Sequence, residues 1–118
     1  MNDILSFLEN YTLENADDIA KAMSEDFRKR RIEKNLTREE LAKCSGVALS
    51  NIVRFEQKSL ISLKNLIALA MAMSYSAEIK NIFSQPKYST MEELTQIRKN
   101  RGKSRAYKKR LGWNLQKK

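Results

Sequence analysis

The chain has 118 residues, 42% of them apolar, and a formal net charge of +9. This length supports one compact core, and no apolar run approaches the roughly 20 residues that cross a bilayer, so we expect one soluble, cytoplasmic domain without a signal peptide or a membrane partner. One cysteine and no histidine argue against a disulfide framework, a metal or other cofactor and His-based catalysis. We therefore expect neither enzyme activity nor a small-molecule substrate.

The positive charge is concentrated at the C-terminal end of the chain. Residues 98–118 contain ten Lys or Arg and no Asp or Glu, so residues 1–97 are nearly neutral. The first twenty residues contain five acidic side chains and no basic one. This asymmetry favours a nucleic-acid partner for the basic tail. The tail has too few apolar residues to pack alone and is expected to be flexible.

A short amphipathic helix is predicted in residues 1–14, because apolar residues recur there at helical spacing: Ile4, Leu5, Phe7, Leu8 and Tyr11. Its apolar face needs a partner, which is either the protein's own helical bundle or a second protein molecule. A longer helix is predicted over 15–35, with three apolar side chains on one face: Ile19, Met23 and Phe27. Asp17 and Asp18 lie at the end of this helix where its dipole favours negative charge.

Residues 36–56, LTREELAKCSGVALSNIVRFE, have the spacing of a helix-turn-helix. Thr37 is expected to cap a first short helix, and Gly46 to supply a left-handed turn that a residue with a Cβ would resist. The positions predicted to face inward lie at helical spacing on either side of this turn: Leu41, Ala42, Cys44, Val47, Ile52 and Phe55. Cys44 is therefore predicted to be a small core residue rather than a reactive thiol.

The next helix is apolar on more than one face. Ser62 is a good N-cap for it, and the predicted inward stripe is Leu63, Leu66, Ile67 and Ala70. Three further apolar side chains then remain outside that stripe: Leu69, Met71 and Met73. A helix of this kind either lies centrally in the bundle or contributes to a dimer interface.

Two weaker helices are predicted after it. Ser76 opens a short one that ends at Pro86 and turns three side chains inward: Ile79, Ile82 and Phe83. Thr90 and Glu93 match a capping box for a last helix, which starts at Met91 and ends at about Lys99. The whole pattern predicts an all-α fold of five or six helices. It comprises a helix in 1–14, a compact helix-turn-helix domain over 15–86, the weak helix in 87–97 and the basic tail 98–118.

The second helix of the motif has an outward face suited to DNA. If Ile52 and Phe55 face inward, a rotation of about 100° per residue places Ser50, Arg54 and Gln57 at the centre of the outward face. Leu49 and Val53 flank them on one side, and Asn51 and Lys58 on the other. Arginine can donate two hydrogen bonds to guanine, asparagine can pair with adenine, and aliphatic side chains can cover a thymine methyl. The alternative is an ordinary surface helix with two exposed aliphatic side chains.

These residues resemble the Xre/Cro class of phage-repressor-like DNA-binding domains, in which the second motif helix enters the major groove. Arg31 and Glu56 match the positions of an arginine and a glutamate that form a structural ion pair in many members of that class. The resemblance implies that bases are read by Leu49, Ser50, Asn51 and Arg54. Phosphate contacts are predicted at Thr37, Arg38, Gln57 and Lys58. Arg38 replaces a common Gln, and Ala48 replaces a common capping Ser or Thr.

The run SGVALSNIVRFEQKSLISLKNLIALA, residues 45–70, also resembles a narrower group, the HipB-type antitoxins of bacteria. This resemblance implies a repressor that binds an operator near its own genes and holds a HipA-like serine/threonine kinase toxin. A homodimer is expected as well, because one recognition helix contacts too few base pairs for the affinity of an operator complex. The alternatives are a free-standing Xre-type regulator and a protein-binding adaptor with vestigial DNA binding.

The basic tail has three interpretations. Its Lys and Arg side chains can neutralise DNA phosphates, which would steepen the salt dependence of binding. Trp113, flanked by Leu111 and Leu115, can instead anchor a protein partner, because tryptophan is enriched at the energetic centres of interfaces. The third interpretation is a solubilising tail, and the first two are compatible with each other.

Overall fold

The computed structural model describes residues 14–106, and within that range the protein is all-α. Its helices are α1 (Ala16–Glu33), α2 (Arg38–Ser45), α3 (Leu49–Lys58), α4 (Leu63–Ala72), α5 (Ser76–Lys80) and α6 (Met91–Asn100). The chain divides into two compact units, one ending at Ile82 and the other beginning at Phe83. The all-α prediction is confirmed. The helix predicted in 1–14 and the predicted anchor Trp113 lie outside the described residues.

The helix starts follow from local capping chemistry. Asn15 accepts a hydrogen bond from the backbone N–H of Asp18, whose carboxylate accepts one in return from the Asn15 N–H. Thr37 and Glu40 form the same reciprocal box at the start of α2. Ser62 caps α4 through the Asn65 N–H. Each cap satisfies donors that the first helical turn leaves without a backbone acceptor.

The turn between α2 and α3 is formed as predicted. Gly46 adopts φ 76° and donates its N–H to the Ala42 carbonyl, which ends α2. Val47 follows it and is buried beneath the turn. The core that these elements enclose consists of Leu41, Val47, Ile52, Phe55, Leu69 and Met73. Phe27 of α1 packs on Phe55 edge to face, with ring centroids 5.3 Å apart.

Cys44 is exposed, so its prediction as a core residue is wrong. The side of α2 that faces the core is set by Leu41, with Ala42 and Ser45 half-buried beside it. A helix turns about 100° per residue, so Cys44 lies about 60° from Leu41 on the side away from Ala42 and Ser45. The spacing in the sequence groups Leu41 with Cys44 because they are three residues apart, but the core lies on the other side of Leu41.

The inward face of α4 is also different from the prediction. Leu69, Ala70 and Met73 are buried, whereas Leu63 is 69% exposed and Ile67 is exposed as well. The helix is therefore rotated relative to the predicted stripe. The predicted and the observed orientation of α4 about its axis both bury aliphatic side chains. Contacts of α4 with α2 and with Phe55 therefore select the observed one. The helix packs against α2 and α5, and it leaves an apolar stripe on its outer side: Leu63, Ile67 and Met71.

Two other predicted inward faces are only partly packed. On α1, Phe27 is half-buried but Ile19 and Met23 remain exposed, and Ser24 with Arg31 occupies the most buried side of the helix. Helix α5 ends at Lys80 rather than near Pro86. Ile79 is half-buried, but Ile82 lies beyond the helix end and is exposed, as is Phe83. Because the helix ends at Lys80, it does not carry Ile82 and Phe83 on the face of Ile79.

The predicted last helix is present as α6. Thr90 caps it by accepting the Glu93 N–H, while the Glu93 carboxylate accepts the N–H of Ser89 instead of that of Thr90. Leu94 and Ile97 are the half-buried side chains of this helix. Arg98 and Lys99 lie in its last turn, where cations favour the helix dipole.

Candidate nucleic-acid interface

The position of α3 is fixed by an ion pair that joins three helices. Arg31 of α1 donates from Nε to Glu56 Oε2 at 2.7 Å and from Nη2 to Oε1 at 2.9 Å. Arg38 of α2 donates from Nε to the same Oε1 at 2.9 Å. Arg31 also donates from Nη1 to the Leu36 carbonyl at 2.7 Å, which holds the α1–α2 connection. The geometry brings together Arg31 and Glu56, as the resemblance implied, and adds Arg38.

The electrostatics of this cluster favour the charged state of both partners. Burial acts to raise the pKa of the Glu56 carboxyl, but the hydrogen bonds from Arg31 and Arg38 outweigh it, and the net pKa lies below its ordinary value. The hydrogen bond to Glu56 is the main cause that raises the pKa of Arg31, against partial desolvation. The side chain of Glu56 is fully buried, and the bidentate geometry is the strongest form of such a pair.

Arg38 donates to Glu56 from Nε, and its side chain remains 30% exposed to solvent. Thr37 precedes it and uses its hydroxyl oxygen to cap α2. Two acidic side chains, Glu39 and Glu40, lie in the same first turn. The two predicted phosphate contacts at this end of α2 are thus both engaged in structural hydrogen bonds within the chain.

Helix α3 turns its apolar side into the core and its polar side to solvent. Ile52 and Phe55 are buried, whereas the predicted central residues of the outward face are all exposed: Ser50, Arg54 and Gln57. Lys58 is exposed, and Asn51 and Val53 are half-buried at the two flanks. Six side chains of α3 line a shallow depression on the surface: Leu49, Ser50, Val53, Arg54, Gln57 and Lys58. All four predicted base-reading residues therefore lie on one face or at its edge.

A second depression adjoins this face and includes residues that the sequence did not single out. Asn51 and Arg54 line it together with the loop after α3 and with Asn65 from the first turn of α4. Ser62 lines it too, as the N-cap of α4. The N-cap signal at Ser62 was visible in the sequence, but its proximity to Arg54 depends on how α4 crosses α3.

The start of α3 lacks a side-chain cap, as expected from Ala48. The C-terminal end of α3 is better held. Ser59 adopts φ 59° and donates its N–H to the Phe55 carbonyl. Its hydroxyl lies 2.8 Å from that of Ser24, which is buried on α1. This serine pair was not predicted, because a serine within an otherwise mixed helix gives no pairing signal in the sequence.

The described residues contain no group of three or more His, Cys, Asp or Glu side chains arranged to hold a metal ion. No helix among them is both long enough and apolar enough to span a membrane. The chemistry that the α3 face offers is hydrogen bonding, charge and apolar contact. An exposed helix with such a face has the width and the donors to enter the major groove of duplex DNA.

Comparison with known proteins agrees with this geometry. A family described as helix-turn-helix matches residues 27–79, a range that begins within α1 and ends within α5. No curated protein and no solved structure matches the chain. The match supports the Xre/Cro-type helix-turn-helix motif. By sequence, residues 27–79 are similar to the helix-turn-helix family, and this similarity indicates a DNA-binding transcription regulator.

Proposed function

We propose that the protein is a sequence-specific transcriptional regulator that inserts α3 into the major groove of its operator. The observation that carries the proposal is the division of α3 into two faces. One face is held by the core and by Glu56, and the other presents Ser50, Arg54 and Gln57 to solvent. Because the core and Glu56 hold the helix in place, its outward side chains can reach base edges without a rearrangement of the backbone.

Base reading is assigned to Leu49, Ser50, Asn51 and Arg54. Arg54 is exposed between the two depressions, and its guanidinium can donate two hydrogen bonds to O6 and N7 of guanine. Asn51 lies at the edge of the face, where its amide can pair with adenine. Leu49 is partly exposed and supplies apolar contact for a thymine methyl.

Phosphate contacts are assigned to Thr37, Arg38, Gln57 and Lys58. Gln57 and Lys58 are exposed in the last turn of α3, and Thr37 with Arg38 begins α2. These contacts position the motif on the duplex without reading its sequence. For Arg38 we propose a double role, in which Nε holds Glu56 while the exposed part of the guanidinium faces DNA.

The DNA-binding proposal is tested by fluorescence anisotropy with the DNA upstream of the protein's own gene and with a scrambled duplex. Asn51→Ala combined with Arg54→Ala is expected to reduce the preference for the specific duplex by at least about tenfold, because each bidentate contact contributes about 1–3 kcal/mol. Lys43→Ala is the matched control, since Lys43 is exposed on α2 and is assigned no contact. An unchanged preference in the double variant would exclude α3 as the reader and favour a protein-binding adaptor.

We also propose that the regulator is a homodimer, with the outer stripe of α4 as its interface. Leu63, Ile67 and Met71 recur every four residues and are exposed in the single chain. Two copies can read two half-sites one DNA turn apart. Met71→Asp is expected to shift the protein to a monomer in sedimentation equilibrium. Ile32→Asp, which places the same charge at an exposed apolar position of α1, is expected to leave the dimer intact.

The finer proposal is an autorepressor that acts as a HipB-type antitoxin for a HipA-like kinase toxin. Its support is the resemblance of residues 45–70 to that group. Co-expression with the product of the neighbouring gene, followed by size-exclusion chromatography, tests it. Co-elution together with inhibition of that product's kinase activity would support the antitoxin. Separate elution would favour a free-standing Xre-type regulator and would leave the DNA-binding proposal unaffected.

A further inference from the structure

The first compact unit has an apolar groove on the side formed by α1, α4 and α5. The groove has a volume of about 300 Å³ and is lined mainly by carbon atoms. Its lining includes Phe27 and Leu66, together with Met23, Ile79 and Ile82. Met23 and Ile82 are each about half exposed. An open groove of this composition is costly in water and marks a docking site for an apolar partner.

The apolar surface continues from the groove toward the start of α1. Ile19 lies one helical turn before Met23 on the same face of α1 and is 47% exposed. The first thirteen residues of the chain precede this end of α1, separated from the Asn15 cap by Glu14 alone. A segment attached there reaches Ile19 first and the groove next.

The sequence of that segment complements the groove. Residues 3–12 carry apolar side chains at helical spacing: Ile4, Leu5, Phe7, Leu8 and Tyr11. As a helix, these ten residues would extend about 15 Å, and the distance along α1 from Ala16 to Phe27 is about 16 Å at a rise of 1.5 Å per residue. The residues left between the two helices match the two- to five-residue loops of antiparallel helix pairs.

We propose that residues 3–12, named here the N-terminal segment, fold back along α1 and fill the groove of their own chain. The tether raises the effective concentration of the segment at the groove to the millimolar range, which a separate protein rarely matches. The segment's apolar face then covers Met23 and Ile82, and its polar face meets solvent. The helix-turn-helix domain is completed by this additional helix, on the side of α1 where the groove lies.

Pairs of cysteines in the full-length chain test the placement. In a Cys44→Ser background, one variant combines Leu8→Cys with Met23→Cys. A second variant combines Leu5→Cys with Met23→Cys and tests a placement of the segment shifted by about one helical turn along α1. The matched control combines Leu8→Cys with Glu25→Cys, two residues further along α1 and about 200° around it. A disulfide requires Cα atoms within about 7 Å. We expect mild oxidation to give an intrachain bridge with Met23→Cys in most molecules and none with Glu25→Cys.

The other outcomes of this experiment would overturn the proposal. Bridges between two chains on a non-reducing gel would show that a second copy fills the groove. Bridges in neither Met23→Cys pair, or equal bridging in the control, would show that the segment does not lie there. None of these results depends on DNA binding, so the proposed function is tested separately.

A second comparison does not need cysteines. Leu8→Asp should release the N-terminal segment, lower the Tm of the full-length protein and increase the fluorescence of a dye that binds apolar surface. Asn10→Asp places the same charge on the polar face of the segment and should match the unchanged protein in both measurements. Equal behaviour of the two variants would contradict the proposal.

Discussion

The carboxylate of Glu56 accepts three hydrogen bonds from two arginines that lie on two other helices. Arg31 satisfies both carboxylate oxygens and also bonds the carbonyl of Leu36. The side chain of Glu56 is completely shielded from solvent. A buried carboxylate is tolerated only with such a set of partners. At the scale of single residues, this pair sets the orientation of α3 relative to α1 and α2.

Glu56→Gln should destabilise the protein strongly. The substitution keeps the shape of the side chain but leaves Arg31 buried without an anion, which costs about 3–5 kcal/mol of unfolding free energy. Urea denaturation followed by circular dichroism at pH 7 measures this change. Glu33→Gln is the control, because it removes the exposed pair with Arg30 at 3.1 Å and should cost at most about 1 kcal/mol. Equal destabilisation by the two substitutions would refute the role assigned to Glu56.

The same carboxylate should make stability depend on pH in the acidic range. The pKa of Glu56 is lower in the folded protein than its ordinary value of about 4.3 in an unfolded chain. Its contribution is therefore complete above about pH 5, where the carboxylate is charged in both states. It is lost as the pH falls through the folded pKa.

Denaturation curves from pH 7 to pH 3 check this dependence. The difference in unfolding free energy between the unchanged protein and Glu56→Gln should be constant near neutrality and shrink below about pH 4.3. Other carboxyl groups titrate in both proteins, so the difference isolates Glu56. A difference that stays constant down to pH 3 would contradict the prediction.

Predictions from the sequence succeeded where one residue's own chemistry decides the structure. Gly46 has the positive φ that its type permits, and Thr37 accepts the hydrogen bond that its hydroxyl and spacing favour. The prediction for Cys44 failed because burial depends on where the neighbouring helices lie. The approach of Arg38 to Glu56 was not predicted for the same reason, since no local pattern links residues on two different helices.

At the scale of helices, α3 is held firmly along its length and weakly at its start. Its C-terminal end is closed by Ser59, whose hydroxyl meets that of Ser24. Its first turn has no side-chain cap, because the side chain of Ala48 has no oxygen that could accept a backbone N–H. Leu49, Ser50 and Asn51 belong to that first turn. The turn without a side-chain cap therefore contains three of the four residues assigned to base reading.

Ala48→Ser should stabilise the protein by about 0.5–2 kcal/mol, because a serine hydroxyl can accept an N–H of the first turn. Ala48 is exposed and has an extended ψ, as do Thr37 and Ser62, the N-caps of α2 and α4. Thermal unfolding measures the increase in stability. Ala48→Val is the control, since it adds side-chain atoms at the same position without an acceptor. Equal stabilisation by both substitutions would point to packing instead of capping.

For helix α4, the sequence pattern could not predict which side of the helix faces the core. Its sequence is apolar on several faces, so hydrophobic spacing permits more than one rotation about the helix axis. Tertiary packing selects the rotation that buries Leu69 and Met73 and exposes Leu63. The outward face of α3 was predictable by contrast, because most of the other residues of this helix are polar and Ile52 with Phe55 sets a single inward side.

At the scale of the whole molecule, positive charge and sequence reading are assigned to different parts of the chain. Residues 1–97 are close to neutral, and the ten Lys or Arg of residues 98–118 account for the net charge. Five of these ten lie among the described residues: Arg98, Lys99, Arg101, Lys103 and Arg105. Binding to phosphate adds affinity without specificity. Such a tail should strengthen binding to any DNA, while α3 discriminates between sequences.

Truncation after Ile97 should reduce the salt dependence of DNA binding and leave the preference between duplexes intact. Each phosphate that the tail neutralises adds about 0.9 to the slope of log affinity against log salt, so the decrease in slope after truncation shows how many phosphates the tail binds. Anisotropy between about 50 and 200 mM salt measures it for the specific and the scrambled duplex. Replacing Trp113 with alanine in the full chain is the control, because it removes the proposed anchor without changing the charge. An unchanged slope after truncation would assign the tail to a protein partner or to solubility, and loss of the preference would mean that the tail reads sequence as well.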